Sequence, residues 1–138
     1  AFLLKDSGVC FACGQANPEG MRLTIRRVDG GVQMDYVVPD KFCGWKGVVH
    51  GGIIATMLDE LAAWACTEAG SNAVTAELSV RFRHPVSTGQ KLRGFGRVVE
   101  EHGRLLLAES RLTDEQGTVL ANARAKMMKV EAQVVRGE

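Results

Sequence analysis

Gly47-Val48-Val49-His50-Gly51-Gly52-Ile53-Ile54-Ala55-Thr56-Met57-Leu58-Asp59-Glu60 is the stretch whose reading decides the fold. A His-Gly-Gly turn opens an apolar run that lasts to Glu68, and Gly70 closes it. The spacing predicts one helix over roughly residues 51–68. Ile53, Ile54, Met57, Leu58, Leu61, Trp64 and Ala65 fill most of its circumference, leaving Thr56, Asp59, Glu60 and Thr67 a wedge about 100° wide. So little polar surface demands cover on most sides, from a sheet and from loops or a second subunit.

Outward from the helix, the period changes to two. Upstream, residues 21–28 and 32–38 flank Asp29-Gly30-Gly31, a hairpin signal, and Pro39 closes the second strand. Downstream, residues 75–83 alternate. Ala76, Leu78, Val80 and Phe82 are expected on one face, and Thr75, Glu77, Ser79, Arg81 and Arg83 on the other. Residues 92–101, 105–113 and 119–130 follow as strands, joined by Glu101-His102-Gly103 and Asp114-Glu115-Gln116-Gly117 turns. Ala121, Ala123 and Ala125 form a row of small residues expected to let the helix approach closely. One helix covering one curved antiparallel sheet is an α+β layout. One domain over 1–138 is expected, with a strap at 1–20, a core at 21–130 and a tail at 131–138.

Composition narrows the function classes. Hydrophobic residues make up 46% and charged residues 24%, with a net charge of +1, so no nucleic-acid stripe or polybasic membrane patch is expected. The longest apolar segment is too short to cross a bilayer. The first residues lack a signal peptide's basic start and long apolar run. Four cysteines, one of them within the apolar helix, favour a reducing cytoplasm.

The chemistry sits in the opening stretch. Glycines followed by a helix start leave backbone N–H groups free to meet a developing negative charge. Asp59, nine positions after His50, is a carboxylate on a greasy helix, costly unless paired, wet or catalytic. Eight residues separate Gly51 from Asp59, about 12 Å along the axis, so one carbonyl cannot lie about 3 Å from both within one chain. If both serve one substrate, a second copy supplies one of them, and a homodimer with composite sites is expected. His50 is read as a residue that caps or orients the turn, because backbone N–H groups suffice for the electrostatic work.

Other patterns weigh less. Cys10-Phe11-Ala12-Cys13 is half a zinc site with no second Cys or His pair, so no metal is expected. Gly94-Phe95-Gly96 lacks the context of a dinucleotide loop. Arg81, Arg83 and His84 could meet ligand phosphates or form a solvated face.

Phe42-Cys43-Gly44-Trp45-Lys46-Gly47-Val48-Val49-His50-Gly51-Gly52, followed by Leu58-Asp59-Glu60, resembles the hotdog-fold acyl-CoA thioesterases, in the PaaI-like branch of the 4-hydroxybenzoyl-CoA thioesterase superfamily. Cys10-Phe11-Ala12-Cys13-Gly14 with Asn17-Pro18-Glu19-Gly20-Met21, and Thr75-Ala76-Glu77-Leu78-Ser79-Val80-Arg81-Phe82 with Pro85-Val86, carry the resemblance over roughly residues 9–128. It implies a hotdog fold, one long central helix wrapped by a curved, roughly six-stranded antiparallel sheet, with dimers that often pair into tetramers. It implies hydrolysis of an acyl-CoA thioester. Asp59 would be general base or nucleophile, Thr75 would place the water, and the Gly51 N–H would polarise the carbonyl, with His50 and Gly52 shaping the turn. Glu60, Arg81, Arg83 and His84 are candidate substrate contacts. Coenzyme A is then the substrate's carrier and no resident cofactor is expected. Some branches carry an Asn or Gln shortly before the His; Cys43-Gly44-Trp45-Lys46 offers no amide. A non-catalytic acyl-CoA sensor and a hotdog dehydratase or hydratase are the alternatives, the latter without a His-Phe-Pro-Gly stretch here.

Overall fold

The computed structural model describes residues 4–5, 7–130 and 134–135. Parts of the expected strap (1–3 and 6) and tail (131–133 and 136–138) lie outside the described residues. The elements are β1 Leu4–Lys5, β2 Arg26–Val28, β3 Gly31–Val37, a 3₁₀ turn at Asp40–Phe42, α1 Gly51–Glu68, β4 Ala73–Phe82, β5 Lys91–His102, β6 Leu105–Thr113, β7 Val119–Lys129 and β8 Val134–Val135. Strands β2 to β7 form one antiparallel sheet in the order β2-β3-β5-β6-β7-β4. Helix α1 packs on its inner face, as the hotdog resemblance implies. The short β1 and β8 pair in parallel, a contact that no periodicity announces.

The helix spans the predicted residues because its signals are unambiguous. Gly70, with φ 96°, ends it in the left-handed region that favours glycine. Ile54, Met57, Leu58, Leu61, Ala62, Ala65 and Cys66 are buried. Burying a side chain of Leu or Met size is worth about 1.5–3 kcal/mol, so this stripe anchors the helix. Ala12, Met21 and Leu23 join the same core, so the strap covers part of what the sheet leaves open.

Two expectations need correction. Residues 21–25 form no strand. The Met21 N–H donates to the Phe11 carbonyl at 2.7 Å and Leu23 N–H to Ala12 at 2.8 Å, which stitches this segment to the strap. The β7 alanines are buried against the helix as expected, and β5 also approaches it closely. A Cβ on Gly96 would lie 2.6 Å from the Leu61 carbonyl oxygen, and one on Gly94 2.7 Å from Leu61 Cδ1. The Gly-Phe-Gly of β5 is therefore a packing device. Next to it, the buried Ser110 hydroxyl donates to the Leu58 carbonyl at 2.8 Å and ties β6 to the helix.

The second correction concerns β4. Thr75 pairs with Met127 and Glu77 with Lys126, so Ala76 is an extra, bulged residue. Met127 is buried and Lys126 exposed. The bulge thus puts Thr75 on the inner face with Leu78, Val80 and Phe82, which pair with the buried Ala125, Ala123 and Ala121. Strict alternation would have sent Thr75 outward.

Candidate active site

The bulge has a chemical consequence. Thr75 Oγ1 donates to Asp59 Oδ1 at 2.6 Å, joining β4 to the middle of α1. Asp59 is half-buried at the edge of the helix. One carboxylate oxygen takes the hydroxyl, and the other keeps its lone pairs for a proton donor.

The helix start is equally specific. Residues 40–50 form a fixed loop: Gly44 N–H donates to Val48 at 2.8 Å, Val49 N–H to Val86 at 2.8 Å, and His50 N–H to Phe42 at 3.0 Å. His50 then caps the helix, its Nδ1 accepting from the Gly52 N–H at 2.9 Å, as its capping role predicts. Ile53 and Ile54 donate to the His50 carbonyl. Among the described residues the Gly51 N–H has no partner, so it is the donor left over at the positive end of the helix. Gly51 lines a cavity of about 480 Å³ together with Gly44, Trp45, Val48, Val49 and His50. The larger concavity of about 730 Å³, between β3, β5 and the β6–β7 turn, includes none of the expected site residues.

Apolar side chains stand exposed around this turn. Trp45 is 85% exposed and Phe82 57%. The Phe82 ring lies 3.6 Å from where a Cβ on Gly51 would sit. Both stand in the stretches that carry the resemblance, but their exposure beside the helix start does not follow from the sequence.

The remaining expected contacts are dispersed. Arg81 pairs in register with Asn122 on the outer face of β4, opposite to Thr75. Arg83 Nε donates to Asn122 Oδ1 at 2.6 Å, and the exposed His84 donates its backbone N–H to Leu120. The structure does not bring these three to Asp59. Glu60 faces the strap, where it accepts from the Cys13 thiol and from the Trp64 side chain. Burial pushes its carboxyl above the ordinary value, helped by the neighbouring Asp59 charge and opposed by those two hydrogen bonds. Burial, then the Glu60 charge, lifts the Cys13 thiol to about 12. Among the described residues no helix is long and apolar enough to cross a membrane.

The Thioesterase superfamily model matches residues 46–121, the span that holds the helix start, Asp59 and Thr75 but not the strap cysteines. Mouse acyl-coenzyme A thioesterase 13 is 27% identical over 81 residues, 56% of this chain and 58% of that protein. The chain thus spans little more than half of that relative. A phenylacetic acid degradation-related protein of Ralstonia eutropha JMP134 is 31% identical, with 78% of this chain and 85% of that one covered and a TM-score of 0.70. A Streptococcus mutans UA159 protein, solved with acetyl CoA bound, is 23% identical, with 80% and 90% covered and a TM-score of 0.74. At that identity the likeness is one of fold.

Proposed function

Since the chain belongs to the Thioesterase superfamily, whose model covers more than half of it, we propose that it hydrolyses an acyl-CoA thioester. The observation that carries the proposal is the Thr75–Asp59 hydrogen bond of 2.6 Å, a carboxylate held by a hydroxyl at a helix edge. The acyl-CoA thioesterase among its relatives and the acetyl-CoA-bound neighbour support the substrate class.

In this mechanism Asp59 is the general base. Its free oxygen takes a proton from a water that Thr75 helps to place, and the resulting hydroxide attacks the thioester carbonyl carbon. The oxyanion forms against the Gly51 N–H, where helix-end dipoles are fixed in advance. The C–S bond then breaks, the CoA sulfur leaves as thiolate, and Asp59 returns the proton to it. Water and the side chains suffice, so no resident cofactor takes part. Four free cysteines support a cytoplasmic setting.

Two subunits complete each site. Asp59 and Gly51 are about 12 Å apart along one helix, too far for one carbonyl to use both. Among the described residues strand β4 lies at one edge of the sheet, with β7 as its one strand partner, and it carries the exposed Val74 and Phe82. A second copy meeting this edge would cover them and set its Asp59 against the first chain's Gly51.

A panel of acyl-CoAs varied in chain length and aromaticity, read by free-thiol release, tests the reaction. Light scattering on the same samples tests the assembly. Binding without turnover across the panel would favour a sensor, and a fully active monomer would refute the composite site.

A further inference from the structure

The strap and the helix build a second cluster of reactive side chains that thioester hydrolysis does not use. Cys10 and Cys13 flank a tight turn, closed by the Gly14 N–H donating to the Cys10 carbonyl at 2.9 Å. A Cβ on Gly14 would collide with the Cys10 backbone, so glycine is what lets the chain fold back this closely. Two thiols on such a turn face the same space. Glu60 enters that space from α1. The two Sγ atoms and a Glu60 carboxylate oxygen all lie within 4.8 Å of one another, and all three residues are half-buried.

The elements that present these atoms are fixed. The turn is pinned by Met21 and Leu23, whose N–H groups donate to Phe11 and Ala12, and by the buried Ala12 side chain. Asn17 Nδ2 holds the start of the strap through the Val9 carbonyl at 3.0 Å. Glu60 stands on the central helix and is oriented by Trp64 one turn on.

We propose that Cys10, Cys13 and Glu60 bind one zinc-class divalent cation. Two thiolates select a borderline-soft ion over magnesium or calcium, and three protein ligands leave one tetrahedral position for water. Metal–sulfur bonds of about 2.3 Å and metal–oxygen bonds of about 2.0–2.2 Å put the ligand atoms about 3.5–3.8 Å apart. Closing the cluster by at most about 1.3 Å reaches that geometry. Three groups that ligate as anions meet where burial makes uncompensated charge costly, and a dication offsets that cost. The ion staples the strap to α1 beside Asp59. This role stands whether or not the chain is a hydrolase. It also revises the expectation of no metal, because the third ligand is brought by the fold from 47 residues beyond Cys13.

The test is a cobalt titration of the full chain, reduced and stripped of metal. Binding at this site gives a near-ultraviolet thiolate-to-cobalt band with tetrahedral ligand-field bands, saturating at one equivalent and abolished by stoichiometric zinc. Cys13→Ser at least halves the thiolate band and weakens binding, and Glu60→Gln keeps the band with affinity weakened at least tenfold. Circular dichroism checks that each variant is folded. If a variant unfolds, the wild-type chain still decides: zinc, but not magnesium, must raise its melting temperature and protect the strap from protease. A missing saturable band, a band left at full intensity and affinity by Cys13→Ser, or a Cys10–Cys13 disulfide that persists in reductant would overturn the site.

Discussion

Thr75 Oγ1 and Asp59 Oδ1 meet at 2.6 Å because a single bulged residue, Ala76, turns the start of β4 toward the helix. The pair predicts a graded response. Asp59→Asn keeps the shape and removes the charge, and free-thiol release should fall on the order of 10²–10⁴-fold, the usual span for a lost general base. Thr75→Ala should cost less and Thr75→Ser least, since serine keeps the donor. Equal rates for Asp59→Asn and wild type would remove Asp59 from the chemistry.

The general-base mechanism also predicts where oxygen goes. In a single turnover in ¹⁸O-labelled water the label should enter the product acid and leave Asp59 unlabelled. A nucleophilic Asp59 would form a mixed anhydride, and hydrolysis at its aspartyl carbon would leave the label on the enzyme. Mass spectrometry of the peptide that contains Asp59 separates the two.

His50 contributes an acceptor to the Gly52 N–H at 2.9 Å, and its predicted role is structural. His50→Ala should destabilise by about 1 kcal/mol, the ordinary value of an N-cap, and lower activity by loosening the turn. His50→Asn supplies another capping oxygen and should restore both stability and rate. An inactive, fully stable His50→Asn would instead assign the imidazole a chemical role.

Much of this was legible in sequence because it depends on local rules. The helix from Gly51 to Glu68 follows from a capped glycine turn, an apolar run and a terminating glycine. The carboxylate and the free N–H follow from the same stretch. The bulge at Ala76 was not legible: period-two reasoning has no term for an extra residue, and Ala76 resembles any inward-facing alanine. Nor was the meeting of Glu60 with Cys10 and Cys13, which needs the strap to cross the helix. Residues 21–25 continue a strand-like pattern, yet the Met21 and Leu23 N–H groups pair with the strap. Each failure is a tertiary contact overriding a local preference.

Close packing at β5 yields a stability prediction. With 2.6 Å between a Cβ on Gly96 and the Leu61 carbonyl oxygen, Gly96→Ala must push the helix off the sheet. Overpacking of this kind costs about 1–3 kcal/mol, read as a lower urea midpoint. Gly51→Ala meets Phe82 at 3.6 Å, an ordinary contact, and should leave stability almost unchanged. A stability loss at Gly51 as large as at Gly96 would contradict this packing.

Asp35 supplies the pH dependence. Arg93 Nε hydrogen-bonds Oδ1 at 3.0 Å and Arg26 reaches Oδ2 at 3.3 Å, and these donors hold the carboxyl below its ordinary value of 3.8. A carboxyl depressed on folding adds stability above its unfolded value, and that stability is lost as pH falls through the folded one. The side chain is 52% exposed, so solvent screening limits the gain to about 0.5 kcal/mol. Asp35→Asn should therefore unfold at slightly lower urea than wild type at neutral pH. In acid well below 3.8 both carboxyl and amide are neutral and the two midpoints should converge. A gap that stays constant from neutral pH into strong acid would mean that the arginines stabilise this edge of the sheet through packing rather than through the Asp35 charge.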